Sequence, residues 1–292
     1  MSFSSEIKQE LNKNNKLANK EIVKYEFMGY LISKNIDIIN KNYLKYSTES
    51  DYNINRFSKL LSNLNINYNI EMSGKNFVIK FKTIDIQEIV HYENRQITLK
   101  ENIKDETKEE NLRAIIRGLF LGSGSVNNPE NKYHLEITFK QKENLETTTE
   151  ILMKLGINSK KMITQNKYSL YIKEGEEISK FLALIGANKA VMQFEDVRIQ
   201  KEMRGKVNRL VNCETANLNK TINASIEQIA AIKKLQETKK FNKLNDNLKE
   251  IAILRLENPD MPLADLGKLL KDPVGKSGVN YRLKKIIDIA NE

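Results

Sequence analysis

The strongest constraint on the fold is an internal repeat. Residues 20–190 hold two copies of one pattern, offset by roughly ninety positions. Each copy opens with an apolar helix that ends in small or polar residues, EIVKYEFMGYLISKNI and ENLRAIIRGLFLGSGSV. An extended stretch follows, at Asp37–Ser47 and at Tyr133–Phe139. A second helix then ends in Leu64-Asn65-Ile66 or in Leu155-Gly156-Ile157. Alternating apolar residues in GKNFVIKF and NKYSLYIK predict a strand pair in each copy. A closing helix is expected at Ile84–Val90 and at Glu177–Ile185. Two such units predict a pseudo-twofold α/β domain; two unrelated modules with coincident spacing are the alternative. Gly29 and Ser33 in one leading helix, and Gly118, Gly122, Ser123 and Gly124 in the other, would let the two backbones approach closely.

The C-terminal stretch has another character. Leu248, Ile251, Ala252 and Leu254–Leu256 predict an amphipathic helix ended by Asn258-Pro259. After Pro262, a second helix spans Leu263–Leu270, and a basic one follows from Lys276 to Ile289. That order matches a helix-turn-helix DNA reader. Between Pro273 and Ile287 stand Lys276, Arg282, Lys284 and Lys285, with no acid. Val279, Leu283, Ile286 and Ile287 recur at helical spacing and can seat the helix on a core. Ser277, Asn280, Tyr281 and Lys284 then fall on the other side and stand nearest the bases, while Lys276, Arg282 and Lys285 hold phosphates. A small helical bundle with a solvated basic face is the competing reading.

Charge is distributed to match. The net charge is +10, and residues 198–292 hold 19 Lys+Arg against 12 Asp+Glu. Residues 1–197 hold the remaining 29 against 26, so +7 of the excess lies in the last third. That asymmetry suits a polyanion partner, double-stranded DNA above all. Between the two regions, Arg198, Lys201, Arg204, Lys206 and Arg209 predict a basic linker helix ending near Asn212–Cys213. Val197, Val207, Leu210 and Val211 would give it an apolar grip. Its cations add phosphate contacts or simply face solvent.

Catalytic and metal chemistry find little support. The single cysteine, Cys213, excludes an intrachain disulfide or a cysteine-cluster zinc site, and reads as a packing residue. His91 and His134 lie far apart and read as strand or surface histidines. No apolar run approaches the ~20 residues of a membrane span, and the first residues lack a signal-peptide core. The expected location is the cytoplasm, in association with the nucleoid.

Three segments also carry a resemblance. RGLFLGSGSV followed by NNPENKYHLEI is similar to the motif helix and first strand of LAGLIDADG homing endonucleases, and more closely to their degenerate form in the WhiA family of bacterial sporulation and cell-division regulators. NCETANLNKTINASIEQIAAI resembles the segment joining the two WhiA domains, and GKSGVNYRLKKI their C-terminal helix-turn-helix. The resemblance implies an α+β fold: a two-repeat LAGLIDADG-like domain, then an all-α helix-turn-helix domain. The expected divisions are an N-terminal extension over 1–19, the degenerate domain over 20–195 with repeats near 20–100 and 109–190, the basic linker over 196–215 and the reader over 216–292.

A LAGLIDADG nuclease ends each motif helix with a metal-binding acid. Alignment to that pattern puts Ser123 at one former acid position and, from Gly29, Lys34 at the other. The expectation is therefore no catalytic residue, no metal and no cofactor. An active endonuclease and a nonspecific nucleoid- or RNA-associated protein are the rivals. The resemblance implies transcription regulation in cell division, chromosome segregation or sporulation. It leaves the front domain either a protein partner or a second DNA surface.

Overall fold

The computed structural model describes residues 2–13, 17–165 and 167–292. Asn14–Lys16 of the expected extension and Asn166 of the second strand pair lie outside the described residues. The chain divides into two compact units, Met1–Lys201 and Glu202–Glu292.

The first unit begins with α1 (Phe3–Lys13), which buries Phe3, Ile7 and Leu11. The first copy of the repeat follows as α2 (Lys20–Leu31), β1 (Ile36–Ile38), β2 (Tyr43–Thr48), α3 (Asp51–Asn63), β3 (Tyr68–Ser73) and β4 (Asn76–Lys82). After a hairpin of β5 (His91–Glu93) and β6 (Gln96–Thr98), the second copy starts with α4 (Glu109–Ser123). It continues through β7 (Gly124–Val126), β8 (Leu135–Phe139), α5 (Lys142–Lys154), β9 (Lys160–Thr164), β10 (Lys167–Ile172) and α6 (Gly175–Ile185). The sheets run β1-β2-β4-β3 and β7-β8-β10-β9, antiparallel throughout, so corresponding strands hold corresponding places.

The symmetry reaches single caps. α3 ends where Asn65 takes φ 57°, and α5 where Gly156 takes φ 74°. In both, the next residue reaches back to the helix, Ile66 N to Leu61 O and Ile157 N to Leu152 O, each at 2.9 Å. Asparagine and glycine are the residues that tolerate this left-handed stop.

α2 and α4 cross at the pseudo-dyad through their glycines. A Cβ on Gly29 would stand 2.1 Å from Ile115 O, and one on Gly118 would stand 1.9 Å from Glu26 O. Each glycine faces the carbonyl three residues before its counterpart, as a twofold requires. Around the crossing, Tyr30, Tyr46, Phe57 and Phe81 form a buried aromatic cluster.

The two copies diverge at their closing helices. Glu177–Ile185 lies within α6, which ends at Gly186 with φ 85°. Ile84–Val90 makes only a single 3-10 turn, Ile84–Ile86. Three isoleucines and a valine crowd this stretch, and β-branched side chains lose rotamer freedom in a helix. Ile86, Ile89 and Val90 are buried instead as the chain feeds into β5.

The N-terminal segment belongs to the core. Ser4 Oγ accepts from Val126 N at 2.6 Å and donates to Val126 O at 2.7 Å, closing the β7 end of the second sheet. Glu10 accepts from Lys189 N at 2.7 Å and Ala190 N at 3.0 Å, capping α7 (Asn188–Glu237). The expected stop of the linker helix near Asn212–Cys213 does not occur, and α7 continues unbroken to Glu237. No glycine or proline falls between Lys206 and Glu237 to end it. α7 contributes residues to both units. Among the described residues no helix is long and apolar enough to cross a membrane.

α4 starts without a capping side chain of its own. Glu106 serves instead, accepting from Lys108 N at 2.8 Å, Thr107 N at 3.0 Å, Asn111 Nδ2 at 3.1 Å and the Tyr25 hydroxyl. These donors, Tyr25 first, bring its pKa from an ordinary 4.5 down to about 2. Burial, then Glu106, pushes Tyr25 up to about 12. A depressed carboxylate stabilises the fold above its unfolded pKa and loses that contribution as pH falls through the folded one. Thermal midpoints should therefore drop as pH falls from 4.5 to 2. Glu106→Gln should be less stable at neutral pH and show a flatter profile across that window, measured by circular dichroism; an identical profile would refute the cap.

Candidate nucleic-acid interface

The second unit is built on α8 (Asp246–Glu257), α9 (Leu263–Lys268) and α10 (Lys276–Asn291), with the C-terminal part of α7. Asn245 caps α8, its side chain accepting from Leu248 N at 2.9 Å. Ile232, Leu235, Ile251, Leu266, Val279, Leu283 and Ile286 form the buried core.

Two residues shape the connections. Arg255, 1% exposed, donates through Nη1 to Met261 O at 2.9 Å, Pro259 O at 3.1 Å and Asn258 O at 3.3 Å. It thereby holds the turn between α8 and α9. Burial lowers its pKa, against the opposing charge of Asp260. Gly267 lies under the α9–α10 connection, where a Cβ would stand 2.1 Å from Val274 O. Val274 N closes this turn on Gly267 O at 3.1 Å. The connection between α9 and α10 thus depends on the glycine inside α9.

α10 separates its residues by face. Val279, Leu283, Ile286 and Ala290 are buried, spaced by four, three and four. Lys276, Ser277, Asn280, Tyr281, Lys284 and Lys285 are exposed, Tyr281 by 69%. Arg282 is half-buried at the edge of the core, and Ile287 is only partly buried. Among the described residues none of the exposed six has a side-chain hydrogen bond or ion pair within the chain. Ser277, Tyr281 and Lys284 run along one line of the helix, which Asp288 continues; Asn280 lies on one side of it and Lys285 on the other. A cationic face with an exposed aromatic and no internal partners is free to engage an external anion.

The first unit presents a different surface. Lys34 is exposed in the turn after α2, and Ser123 donates to Thr138 O at 2.8 Å. Asn35 Nδ2 reaches across the pseudo-dyad to Gly122 O at 2.6 Å. The Ser123 hydroxyl and Lys34 ammonium, at the two positions expected to match the motif acids, do not fit a divalent cation, which takes carboxylate oxygens. Asp37, just beyond the first motif, pairs with Lys140 and, at 3.5 Å, with Lys45. Burial would raise its pKa, but these lysines hold it below the ordinary carboxylate range. Other strand lysines are paired too, Lys80 with Glu71 at 2.5 Å and Lys167 with Glu136 at 2.6 Å. Among the described residues no cluster of three or more His, Cys, Asp or Glu side chains could hold a metal. His91 lies beside Glu93 on the surface, and His134 stacks on Tyr171 at 6.0 Å.

The basic segment of α7 corrects two expectations. Val207, Leu210 and Val211 are exposed by 58%, 61% and 52%, so they give no grip. Cys213 is exposed rather than packed. Its cations are partly engaged: Arg198 pairs with Glu195 at 2.7 Å and Lys206 with Glu202 at 2.9 Å. Lys201 donates to Asn131 O at 2.7 Å and lies 4.8 Å from the centre of the Tyr133 ring.

Comparison with known proteins places this architecture. Residues 112–204 match the family model of the WhiA LAGLIDADG-like domain, and residues 207–290 that of the WhiA C-terminal HTH domain. A Clostridium novyi protein named "Probable cell division protein WhiA" is 37% identical over all of this chain and 98% of its own length. The chain belongs to the WhiA family. A second WhiA relative, from Clostridium acetobutylicum, is 48% identical over 65% of the chain, and there the match spans 59% of the relative's length. The crystal structure of full-length DUF199/WhiA from Thermatoga maritima superposes with a TM-score of 0.61 at 29% identity, covering 100% of this chain and 98% of that one. The WhiA fold class, a LAGLIDADG-like α+β domain followed by an all-α helix-turn-helix domain, is thus the fold of this chain. The domain model takes in only the second repeat. The first is tied to it by sheet order and by the Gly29–Gly118 crossing.

Proposed function

We propose that this WhiA-family chain is a sequence-specific DNA-binding regulator, acting in cell division, chromosome segregation or sporulation at the nucleoid, without nuclease activity. The observation that carries this reading is the exposed, unpaired cationic face of α10 above a helix-turn-helix core. Reading is assigned to residues 216–292, behind the basic helix segment 196–215. Ser277, Asn280, Tyr281 and Lys284 meet base edges in the major groove, while Lys276, Arg282 and Lys285 hold phosphates. The relatives' printed name supports the cell-division role.

The two kinds of contact separate experimentally. Asn280→Ala should cost about 1–3 kcal/mol on a selected site and relax preference at one base position. Lys285→Ala should weaken all duplexes alike and reduce the salt slope by about 1. Fluorescence anisotropy on sites enriched from genomic fragments measures both, and unchanged affinity in both variants would sink the assignment. For the front domain, linear duplex incubated with magnesium or manganese is expected to stay intact. Specific cleavage abolished by a chelator would overturn that part. The paired lysines of its sheets favour a protein partner for this domain over a second DNA surface.

A further inference from the structure

The helix-turn-helix unit contains a cavity of about 290 Å³ that shares only Lys276, at the start of α10, with the proposed DNA face. Its wall combines the first residue of α10, the start of α9 and one side of α7. Lys220, Arg255 and Lys276 line it, no acidic side chain among the described residues does, and Ala224 and Leu263 supply apolar surface. Two polar groups stand out. Gln228 is 5% exposed, and its Oε1 is buried without a hydrogen-bond partner. Arg255 is 1% exposed, and its Nε is likewise unpartnered.

Arg255 is unusual in more than that atom. Its Nη1 is held by backbone carbonyls, yet among the described residues no carboxylate forms an ion pair with the guanidinium. Asp260 acts on it only without ion-pair contact, and a buried cation with no carboxylate against it is costly, because partial dipoles replace only part of its lost hydration. Structural need explains the carbonyl contacts. It does not explain two further cations around the same apolar-walled space, nor a buried amide oxygen left unmatched.

We propose that this cavity is a binding site for a small organic anion, a phosphate monoester or carboxylate carrying an apolar body. The anionic group sits among Lys220, Arg255 and Lys276, where it supplies an anion in direct contact with the guanidinium. The apolar body lies against Ala224 and Leu263. The volume is at the lower end of small-molecule pockets, which start near ~300 Å³. An occupant touches the first residues of both α9 and α10, so it is placed to bias the helix that presents the reading face.

The test is calorimetric titration of the full-length chain with phenyl phosphate, with phenol as the uncharged control. The expected result is one saturable site, with phenol at least about tenfold weaker. Arg255→Ala would also remove the turn that its guanidinium holds, so it is not the diagnostic variant. Ala224→Leu, which fills the cavity, and Lys220→Glu, which reverses a charge at it, should each weaken binding at least about tenfold. Both should keep the wild-type circular dichroism spectrum and thermal midpoint. Absence of saturable binding would overturn the proposal, as would binding that Ala224→Leu leaves unchanged or equal affinity for phenol. A titration against generic duplex separates the two sources of a phosphoryl group. If the apparent dissociation constant rises without limit as duplex is added, the anion belongs to the DNA backbone and the small-molecule assignment fails. If it levels off, the ligand is a separate molecule. The first titration contains no DNA, so its outcome is independent of whether α10 reads bases.

Discussion

Gly118→Ala is expected to unfold the LAGLIDADG-like unit. The added Cβ would stand 1.9 Å from Glu26 O and 2.9 Å from the Glu26 carbonyl carbon. Non-bonded carbon contacts settle near ~3.5–4.0 Å, so α2 and α4 would have to move apart along the crossing. No rotamer change relieves the clash, because the obstructing atoms are backbone. Parting the helices also loosens the core on both sides, since α2 and α4 carry the buried centre of both copies. The loss should exceed about 4 kcal/mol, the range reserved for substitutions with a definite steric cause. Gly29→Ala should behave alike, with Ile115 O at 2.1 Å. Gly74→Ala is the control: its φ of 60° is strained for alanine, but nothing lies within 4 Å, and the cost should stay near about 1 kcal/mol. Urea denaturation followed by circular dichroism distinguishes these. Equal midpoints for Gly118→Ala and Gly74→Ala would contradict the close crossing.

Glu26→Ala should be nearly as severe, for an electrostatic reason. Glu26 lies fully buried beside the crossing and accepts from Arg56 Nε at 2.7 Å and Arg56 Nη2 at 2.9 Å. Arg117 Nη1 adds a third contact at 3.2 Å, while its Nε donates to Ile185 O at 2.8 Å. Arg56 is itself only 3% exposed. Burial would lower its pKa, but the Glu26 carboxylate holds it above the ordinary value. Removing the acid takes the carboxylate away from a buried guanidinium, which costs about 3–5 kcal/mol. Replacing the pair together, Glu26→Leu with Arg56→Met, removes both charges and should be distinctly less destabilised than Glu26→Ala. Denaturant midpoints for Glu26→Leu, Arg56→Met and the double variant form a thermodynamic cycle. Simple additivity would mean that the pair is not coupled as its geometry indicates.

These two sites mark how far the residues could be read before folding. The glycines of the motif helices were legible as points of close approach, because a small residue on an apolar helix face has few other uses. The caps at Asn65 and Gly156 and the strand pairs around them were equally legible, each depending on neighbours within a few positions. So was the division of α10 into Val279, Leu283 and Ile286 on one face and Ser277, Asn280 and Tyr281 on the other. Glu26 was not legible, sitting unremarked inside EIVKYEFMGYL. Its partners are 30 and 91 positions away, and nothing local distinguishes it from a solvated glutamate. Arg255 was hidden in the same way, its place in an amphipathic helix concealing a buried charge. Val207, Leu210 and Val211 failed in the opposite direction. Apolar spacing signals a face that can be buried, but burial needs a partner surface, and these side chains stay exposed.

Local chemistry was enough for most of the elements, the repeat and the exposed cationic face of the last helix, since periodicity, capping and charge act over a few residues. The helix crossing, the buried Glu26–Arg56–Arg117 cluster, the full length of α7 and the cavity beside Arg255 arise only when distant segments meet. There desolvation and close packing set the energies, and both are properties of neighbours in space.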